Sequence, residues 1–226
     1  MKIIRPEVLK FFNELEKNNN RDWFDAHKPR FKANEAEVKS FASALHEVMN
    51  EHDRVDSFKL FRVYRDVRFS KDKTPYKTHF GISFHREKPR FRGGYYLHLK
   101  SGNNFIAAGF WNPSKEDLLR IRKELEFDAA EFRAIMANPS FSSVWGELEG
   151  EEVKSAPRNF SIDNPNIDLI KKKAYLFTKR YSDKELLAQS FFQQVSDDFK
   201  VVRPFFDYMS SVLTTDLNGV SLLPDD

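Results

Sequence analysis

The fold of this chain is decided by the stretch His79-Phe80-Gly81-Ile82-Ser83-Phe84-His85. Its three apolar side chains alternate with polar or small ones, which is the pattern of an antiparallel strand with one buried face. Similar patterns predict four strands in all, at 57–64, 79–85, 94–100 and 104–111. The connection at 100–104 is a good hairpin turn, so we expect the strands to pair in sequence order.

Helical patterns flank these strands on both sides. Apolar residues recur every three to four positions in five stretches, at 6–17, 29–51, 114–125, 128–136 and from 182 onward. Residues 139–173 are predicted to be irregular, and 174–181 to add a strand at the sheet edge. The sequence therefore predicts an α+β fold, with a mainly antiparallel central sheet of four or more strands packed against N-terminal and C-terminal helices. With no repeat and no long linker, residues 1–226 are expected to form one domain.

Composition narrows the class of protein. The chain has 23 Phe, 7 Tyr and 3 Trp, so we expect a core built from large rings. It has no Cys, which excludes disulfides and thiolate metal sites. The first residues lack the apolar stretch of a signal peptide, so a cytoplasmic location is expected. No apolar run is long enough to span a bilayer, so we expect no membrane partner.

Positive charge is concentrated in one part of the chain. The net charge is only +3, yet residues 54–92 contain twelve Lys or Arg against four Asp or Glu. This gives a local charge of +8 and leaves about −5 for the rest. The distinctive chemistry therefore lies between Arg62 and His79.

This basic segment also carries a family resemblance. It includes Thr74-Pro75-Tyr76-Lys77-Thr78-His79-Phe80-Gly81 at the end of a longer motif, residues 62–81. Further matching motifs lie at 19–24, 94–98, 108–111, 156–158, Lys173 and 204–206. Together they resemble a family of conserved hypothetical proteins, domain of unknown function 2461, over nearly the whole chain. The resemblance implies a shared fold and no particular activity, cofactor or substrate.

The residues themselves point to an anion site. A loop after the first strand can bring several cations together, and guanidinium groups bind carboxylate or phosphate through paired hydrogen bonds. The candidate ligand-binding residues are Arg62, Arg65, Asp66, Arg68, Lys73, Lys77, His79 and His98. We expect Asp66 to orient at least one arginine. The alternative is equally consistent with the sequence: these charges pair with one another and serve only the fold.

Two classes of function fit the pattern. In the first, a basic cleft binds a small phosphate- or carboxylate-bearing ligand, and His79, Lys77 or Asp66 is the acid or base if a reaction occurs. In the second, rings and cations alternate on a surface for single-stranded nucleic acid, unless the rings are core residues. The rings are Phe58, Phe61, Tyr64, Phe69 and Tyr76. We prefer the small ligand; an interaction scaffold also fits.

Other chemistry finds little support in the sequence. The motifs of hydrolases and of nucleoside-triphosphate binding are absent, so whether the protein is an enzyme stays open. The histidines lack the spacing of metal ligands, and we expect neither a metal site nor a cofactor.

Overall fold

A central antiparallel sheet organises the chain. The structure is a computed structural model that describes residues 2–224. Its five strands are β1 (Val55–Leu60), β2 (Phe80–Arg86), β3 (Gly94–Leu99), β4 (Asn104–Phe110) and β5 (Tyr175–Tyr181). They hydrogen-bond in the order β1-β2-β3-β4-β5, which confirms the predicted sequential pairing and the fifth strand at the edge.

Helices precede and follow the strands, as the α+β prediction required. Two come first, α1 (Pro6–Lys17) and α2 (Arg21–Met49). Between β4 and β5 lie α3 (Lys115–Phe127), α4 (Ala130–Ala137), α5 (Pro139–Trp145) and α6 (Ile167–Ile170). After β5 come α7 (Asp183–Leu186), α8 (Phe191–Val201) and α9 (Arg203–Thr214). None of the helices within residues 2–224 is both long and apolar enough to cross a membrane.

Two predictions about helices were wrong, and a proline was involved in both. We placed the start of α2 at Pro29, but it begins at Arg21, where the side chain of Asn20 accepts a hydrogen bond from Trp23 N. This cap satisfies an orphan donor of the first turn, and Pro29 lies inside the helix. Residues 139–173, predicted as irregular, contain α5 and α6. For α5 the proline misled the prediction, because proline suits the first position of a helix as well as a loop.

Residue contacts divide the chain into two compact units. The first holds the residues up to Phe84, together with Tyr96–Ile106 and Arg180–Asp197. The second holds His85–Tyr95, Ala107–Lys179 and the residues from Asp198 onward. The predicted single domain and the cytoplasmic location stay predictions.

Each unit has a core of aromatic rings, which confirms the prediction from composition. In the first unit, α1 packs against α2 and α2 packs against β1. Its buried rings include Phe11, Phe12, Phe24, Phe31, Phe41 and Phe80. In the second unit, α9 packs against α3 and α4. Its buried rings include Tyr95, Phe132, Phe177, Phe199, Phe205 and Phe206.

A buried arginine, Arg86, contacts several residues of the second unit. The side chain of Arg86 is 0 % exposed. It donates to Arg92 O at 2.7 Å and to Ser210 Oγ at 3.1 Å. Its guanidinium lies 4.7 Å from the ring centre of Phe206, and one of its nitrogens lies 3.8 Å from an oxygen of Asp207. The charge is therefore compensated by hydrogen bonds, a ring face and a carboxylate.

A second backbone segment follows β5 on the side away from β4. Glu149 N donates to Leu176 O at 2.7 Å, and Leu176 N donates back to Glu149 O at 3.2 Å. Lys173 N donates to Glu151 O at 2.7 Å, just before the strand begins. Part of the outer edge of β5 is therefore already paired within the chain.

Candidate anion-binding site

The candidate residues lie mainly on an arm, formed where the chain beyond β1 pairs with the chain before β2. Lys77 N donates to Val63 O at 2.7 Å, and Arg65 N donates to Pro75 O at 2.9 Å. The two chains therefore stay paired as far as Arg65. Residues 65–74 close the arm, and we call them the tip loop.

The junction of α1 and α2 holds the base of the arm. The Asn19 side chain donates to Tyr76 O at 2.9 Å and accepts from Tyr76 N at 3.1 Å. The ring of Tyr76 stacks on Phe24 at a centroid distance of 4.0 Å. The sequence motifs at residues 19–24 and 62–81 are thus in direct contact. The Asn19 side chain makes the two hydrogen bonds to Tyr76 that a neighbouring strand would otherwise make.

Within the tip loop, two arginines have carboxylate partners. Arg65 Nη1 donates to Asp72 Oδ2 and to Thr74 Oγ1. Arg68 makes two side-chain hydrogen bonds to Asp66, of 2.9 Å and 2.6 Å. The Arg65 guanidinium lowers the pKa of Asp72 to about 2, and Arg68 lowers the pKa of Asp66. These contacts are the ion pairing that the sequence left open as an alternative.

The remaining candidate of the loop, Lys73, contacts the backbone. Lys73 Nζ donates to Val67 O at 2.8 Å, across the loop. Arg65, Asp66, Arg68 and Lys73 therefore organise the loop with one another and with its own backbone.

The other candidates, except Arg62, lie at the start of β2 and on β3, on the face opposite to Phe80, which packs against α1 and α2. We call Lys77, His79, Tyr96 and His98 the histidine face. The imidazoles of His79 and His98 lie 4.3 Å apart between ring centres, and a hydrogen bond of 3.0 Å joins Tyr96 Oη to His98 Nδ1. Phe105 of β4 stacks on His98 at 4.6 Å with an angle of 13° between the ring planes.

Strand alternation and one glycine make this arrangement possible. Tyr96 and His98 are two residues apart on β3, so they share a face. A Cβ added to Gly81 would lie 2.4 Å from Tyr96 Oη, so the Tyr96 ring occupies the space that a larger residue on β2 would need. Gly81 thus lets the ring lie flat across the neighbouring strand.

Cations surround the histidine face. Lys77 is half-buried, and its Nζ lies 5.5 Å from the ring centre of Phe61. Lys100 forms an ion pair of 2.8 Å with Glu16. Arg62 is exposed and lies close enough to Lys77 to lower the pKa of its ammonium group. Within residues 2–224, Lys77 has no carboxylate at ion-pair distance.

Burial and these cations keep both imidazoles neutral. Burial is the main cause that lowers the pKa of His79 to about 4, and the positive charges of Lys77 and Lys100 add to the effect. Burial is also the main cause that lowers the pKa of His98 to about 3, and His79 and Lys100 add to the effect. Burial also lowers the pKa of Lys77, with Arg62 adding to the effect. The electrostatic potential at the face is thus positive at neutral pH.

The structure separates the predicted set into two groups. Arg65, Asp66, Arg68 and Lys73 belong to the tip loop, whereas Lys77, His79 and His98 lie together at the histidine face, with Arg62 close to Lys77 and Asp66. The prediction missed the roles of Asn19, Tyr96 and Phe105. For Tyr96, the two-residue spacing to His98 was the available signal.

No metal centre emerges from the described part of the chain. Residues 2–224 contain no group of three or more His, Cys, Asp or Glu side chains placed to hold an ion. Three protein ligands is the usual minimum for zinc, and the histidine face offers two imidazoles.

The fold and the site define an α+β protein with a basic, ring-lined patch on an antiparallel sheet. A family model described as "Conserved hypothetical protein (DUF2461)" matches residues 7–208. The chain belongs to this family. Searches of curated proteins and of solved structures found no match.

Proposed function

We propose that the histidine face, with Arg62 beside it, binds a small anion that carries a phosphate or carboxylate group. The observation that carries the proposal is Lys77. It is half-buried, its pKa is lowered by burial and by Arg62, and the described residues place no carboxylate beside it. A partly desolvated cation beside a second cation is unfavourable until an anion joins them.

The contrast with the tip loop supports this interpretation. There Arg65 and Arg68 already have Asp72 and Asp66 as partners. At the histidine face the nearest titratable neighbours of Lys77 and His79 are cations or neutral imidazoles. The positive charge available to a ligand is therefore that of Lys77 and Arg62.

The neutral histidines contribute hydrogen bonds rather than charge. A neutral imidazole has one N–H donor and one acceptor nitrogen. His98 uses Nδ1 with Tyr96, while His79 makes a ring contact with His98. An anion bound beside His79 stabilises its protonated form, so its pKa rises when the ligand binds.

Binding is tested by thermal unfolding with phosphate, acetate and chloride at matched ionic strength. We expect phosphate to raise the melting temperature more than chloride does, since only a selective ligand of the folded state adds stabilisation. Lys77→Gln should abolish this difference. Lys10→Gln, which removes an exposed cation on α1, should retain it. An equal response to phosphate and chloride, or an unchanged Lys77→Gln variant, would refute the proposal.

A second candidate is binding of single-stranded nucleic acid, and one observation favours it. Phe69 is 97 % exposed at the tip loop, with the Arg68 guanidinium 6.0 Å from its ring centre. Tyr64 and Phe61 are also exposed, at 48 % and 36 %. Exposed rings beside cations can stack on bases and contact phosphates. The other two rings of the predicted set differ, since Tyr76 is buried and Phe58 is half-buried.

The two candidates are separated by the size of the ligand and by Phe69. A labelled oligothymidine should bind more tightly than inorganic phosphate, and Phe69→Ala should weaken it about tenfold, if nucleic acid is the ligand. If the ligand is a small anion, Phe69→Ala leaves binding unchanged and Lys77→Gln removes it.

A further inference from the structure

A cleft in the second unit lies away from the residues discussed so far. Its volume is about 380 Å³, and α9 lines it together with α3 and α4. Ile135, Pro204 and Val212 form the apolar part of its wall. A cleft of this size suits a small ligand. The wall can therefore bury an apolar group of modest size.

Tyr208 supplies an unusual polar group at this cleft. It lines the cleft, is 9 % exposed, and its hydroxyl has no hydrogen-bond partner among the described residues. Native proteins leave few buried polar groups unpaired, because burial removes the hydrogen bonds that water would make. The Tyr208 hydroxyl thus lies buried beside the cleft with its hydrogen-bonding capacity unmet.

The one arginine of the lining already has a carboxylate partner and two backbone partners. Arg120 Nε donates to Thr215 O at 3.0 Å, and Nη2 donates to Asp216 O at 3.1 Å. Its Nη1 donates to Glu124 Oε2 at 2.7 Å. Arg120 therefore neutralises Glu124 and stabilises the turn after α9.

The remaining charge of the cleft is negative. Asp207 pairs with Arg203 at 2.6 Å. Glu131 lines the cleft and has no ion-pair partner in the part of the chain that the structure describes. Burial raises the pKa of the Tyr208 hydroxyl; Glu124, Glu131 and Asp128 raise it further, and Arg120 offsets part of this rise. The phenol therefore experiences a negative potential.

We infer that this cleft binds a small organic cation, a primary ammonium group attached to an apolar group. The ammonium donates to the Glu131 carboxylate and to Tyr208 Oη, which satisfies the buried hydroxyl oxygen. The apolar group lies against Ile135, Pro204 and Val212, and the Tyr208 ring adds attraction for the cation. An anion would meet unpaired carboxylate here instead.

Calorimetric titration of the full chain with three molecules of nearly equal shape tests the charge requirement. Benzylamine is protonated at pH 7.5, benzyl alcohol is neutral and benzoate is negative. We expect benzylamine to bind at millimolar concentration, benzyl alcohol to bind at least about tenfold more weakly, and benzoate not to bind. Equal binding of the amine and the alcohol, or no binding of the amine, would overturn the inference.

Two variants test the residues. Glu131→Gln should weaken benzylamine binding about tenfold, and Tyr208→Phe should weaken it several-fold. Tyr208→Phe is expected to fold, because the hydroxyl it removes makes no hydrogen bond within the described chain. Glu47→Gln, the same charge change on an exposed face of α2, should leave binding unchanged. Benzylamine binding that is unaffected by Glu131→Gln would place the amine elsewhere and refute the site.

Discussion

Asn19 and Tyr76, 57 residues apart in sequence, are joined by a pair of hydrogen bonds between one amide side chain and one backbone residue. The donor and the acceptor of Tyr76 are both satisfied, and its ring is buried against Phe24. The geometry of the arm thus depends on the junction between two helices rather than on the arm alone.

Replacing Asn19 should therefore destabilise the protein. We expect Asn19→Ala to lower the free energy of unfolding by about 1–3 kcal/mol, since two backbone groups of a buried residue lose their partner. Asn19→Asp should cost at least as much, because a carboxylate cannot donate to Tyr76 O. Urea unfolding measures both. Asn18→Ala, at an exposed neighbour, should cost clearly less; an equal cost would argue against the contact.

The close approach of Gly81 and Tyr96 predicts a coupled pair of substitutions. Gly81→Ala should destabilise the protein by about 1–3 kcal/mol, because the Tyr96 ring must shift to admit the added carbon. In a Tyr96→Phe background the cost should be smaller, since the hydroxyl that lies nearest has gone. A double-mutant cycle from urea unfolding measures this coupling. Strict additivity of the two changes would contradict it.

The histidine face predicts a loss of stability in mild acid. The folded-state pKa values of His79 and His98, about 4 and about 3, lie below the ordinary value of 6.5. Between these limits the unfolded chain binds more protons, so the free energy of unfolding falls as pH decreases from about 6.5. The slope should approach about 1 kcal/mol per pH unit for each histidine.

Chemical denaturation between pH 7.5 and pH 5.5 measures that slope above the range of most carboxylates. His98→Gln should reduce it. Nuclear magnetic resonance should show His79 still neutral at pH 5.5. A His79 that titrates at its ordinary pKa would show that burial and the nearby lysines do not act as described.

Arg65 should control the order of the tip loop. Its contacts with Asp72 and Thr74 join the two sides of the loop, whereas Arg68 contacts its near neighbours Asp66 and Phe69. We expect trypsin to cleave after Lys71 and Lys73 several-fold faster in Arg65→Gln than in wild type, because local opening becomes easier. Arg68→Gln, with the same loss of charge, should resemble wild type. Equal cleavage of the two variants would refute this assignment.

Arg86 offers a test in the second unit. Arg86→Lys keeps the charge but cannot reproduce the donor pattern toward Arg92 O and Ser210 Oγ. We expect it to lower the free energy of unfolding by about 3 kcal/mol, as expected when a buried charge loses partners. Ser210→Ala should cost about 1 kcal/mol. Urea unfolding that ranks the two in the opposite order would contradict this account.

The parts of the fold that follow a local pattern could be predicted. The alternation of apolar and polar residues predicted β2 and its neighbouring strands, and the turn at 100–104 predicted their order. Both signals could be read from the sequence because they depend only on adjacent residues. Proline was less informative. The predicted helix start at Pro29 was wrong, since the cap at Asn20 and the buried Phe24 favour one continuous helix from Arg21. A single residue's preference is small compared with such packing.

The site required distances that the sequence does not contain. The local charge of +8 located the arm, yet whether an arginine binds a ligand or a carboxylate depends on loop geometry. In the described chain, Arg65 forms contacts with Asp72 and Thr74, whereas Lys77 has no carboxylate at ion-pair distance. The role of Asn19 could not be predicted either, because Asn19 and its partner Tyr76 are 57 residues apart in sequence and are neighbours only in the folded chain.

The pairing at the outer edge of β5 bears on aggregation. Strand edges with free backbone groups are templates for adding strands of other molecules, and proteins block them with backbone or with charge. Residues 149–153 occupy part of the β5 edge, whereas β1, the strand at the other end of the order, carries exposed Asp56 and Lys59. One edge is protected by a covering segment and the other by charge. We therefore expect the loss of both charges, at two exposed residues outside the core, to increase aggregation at high protein concentration.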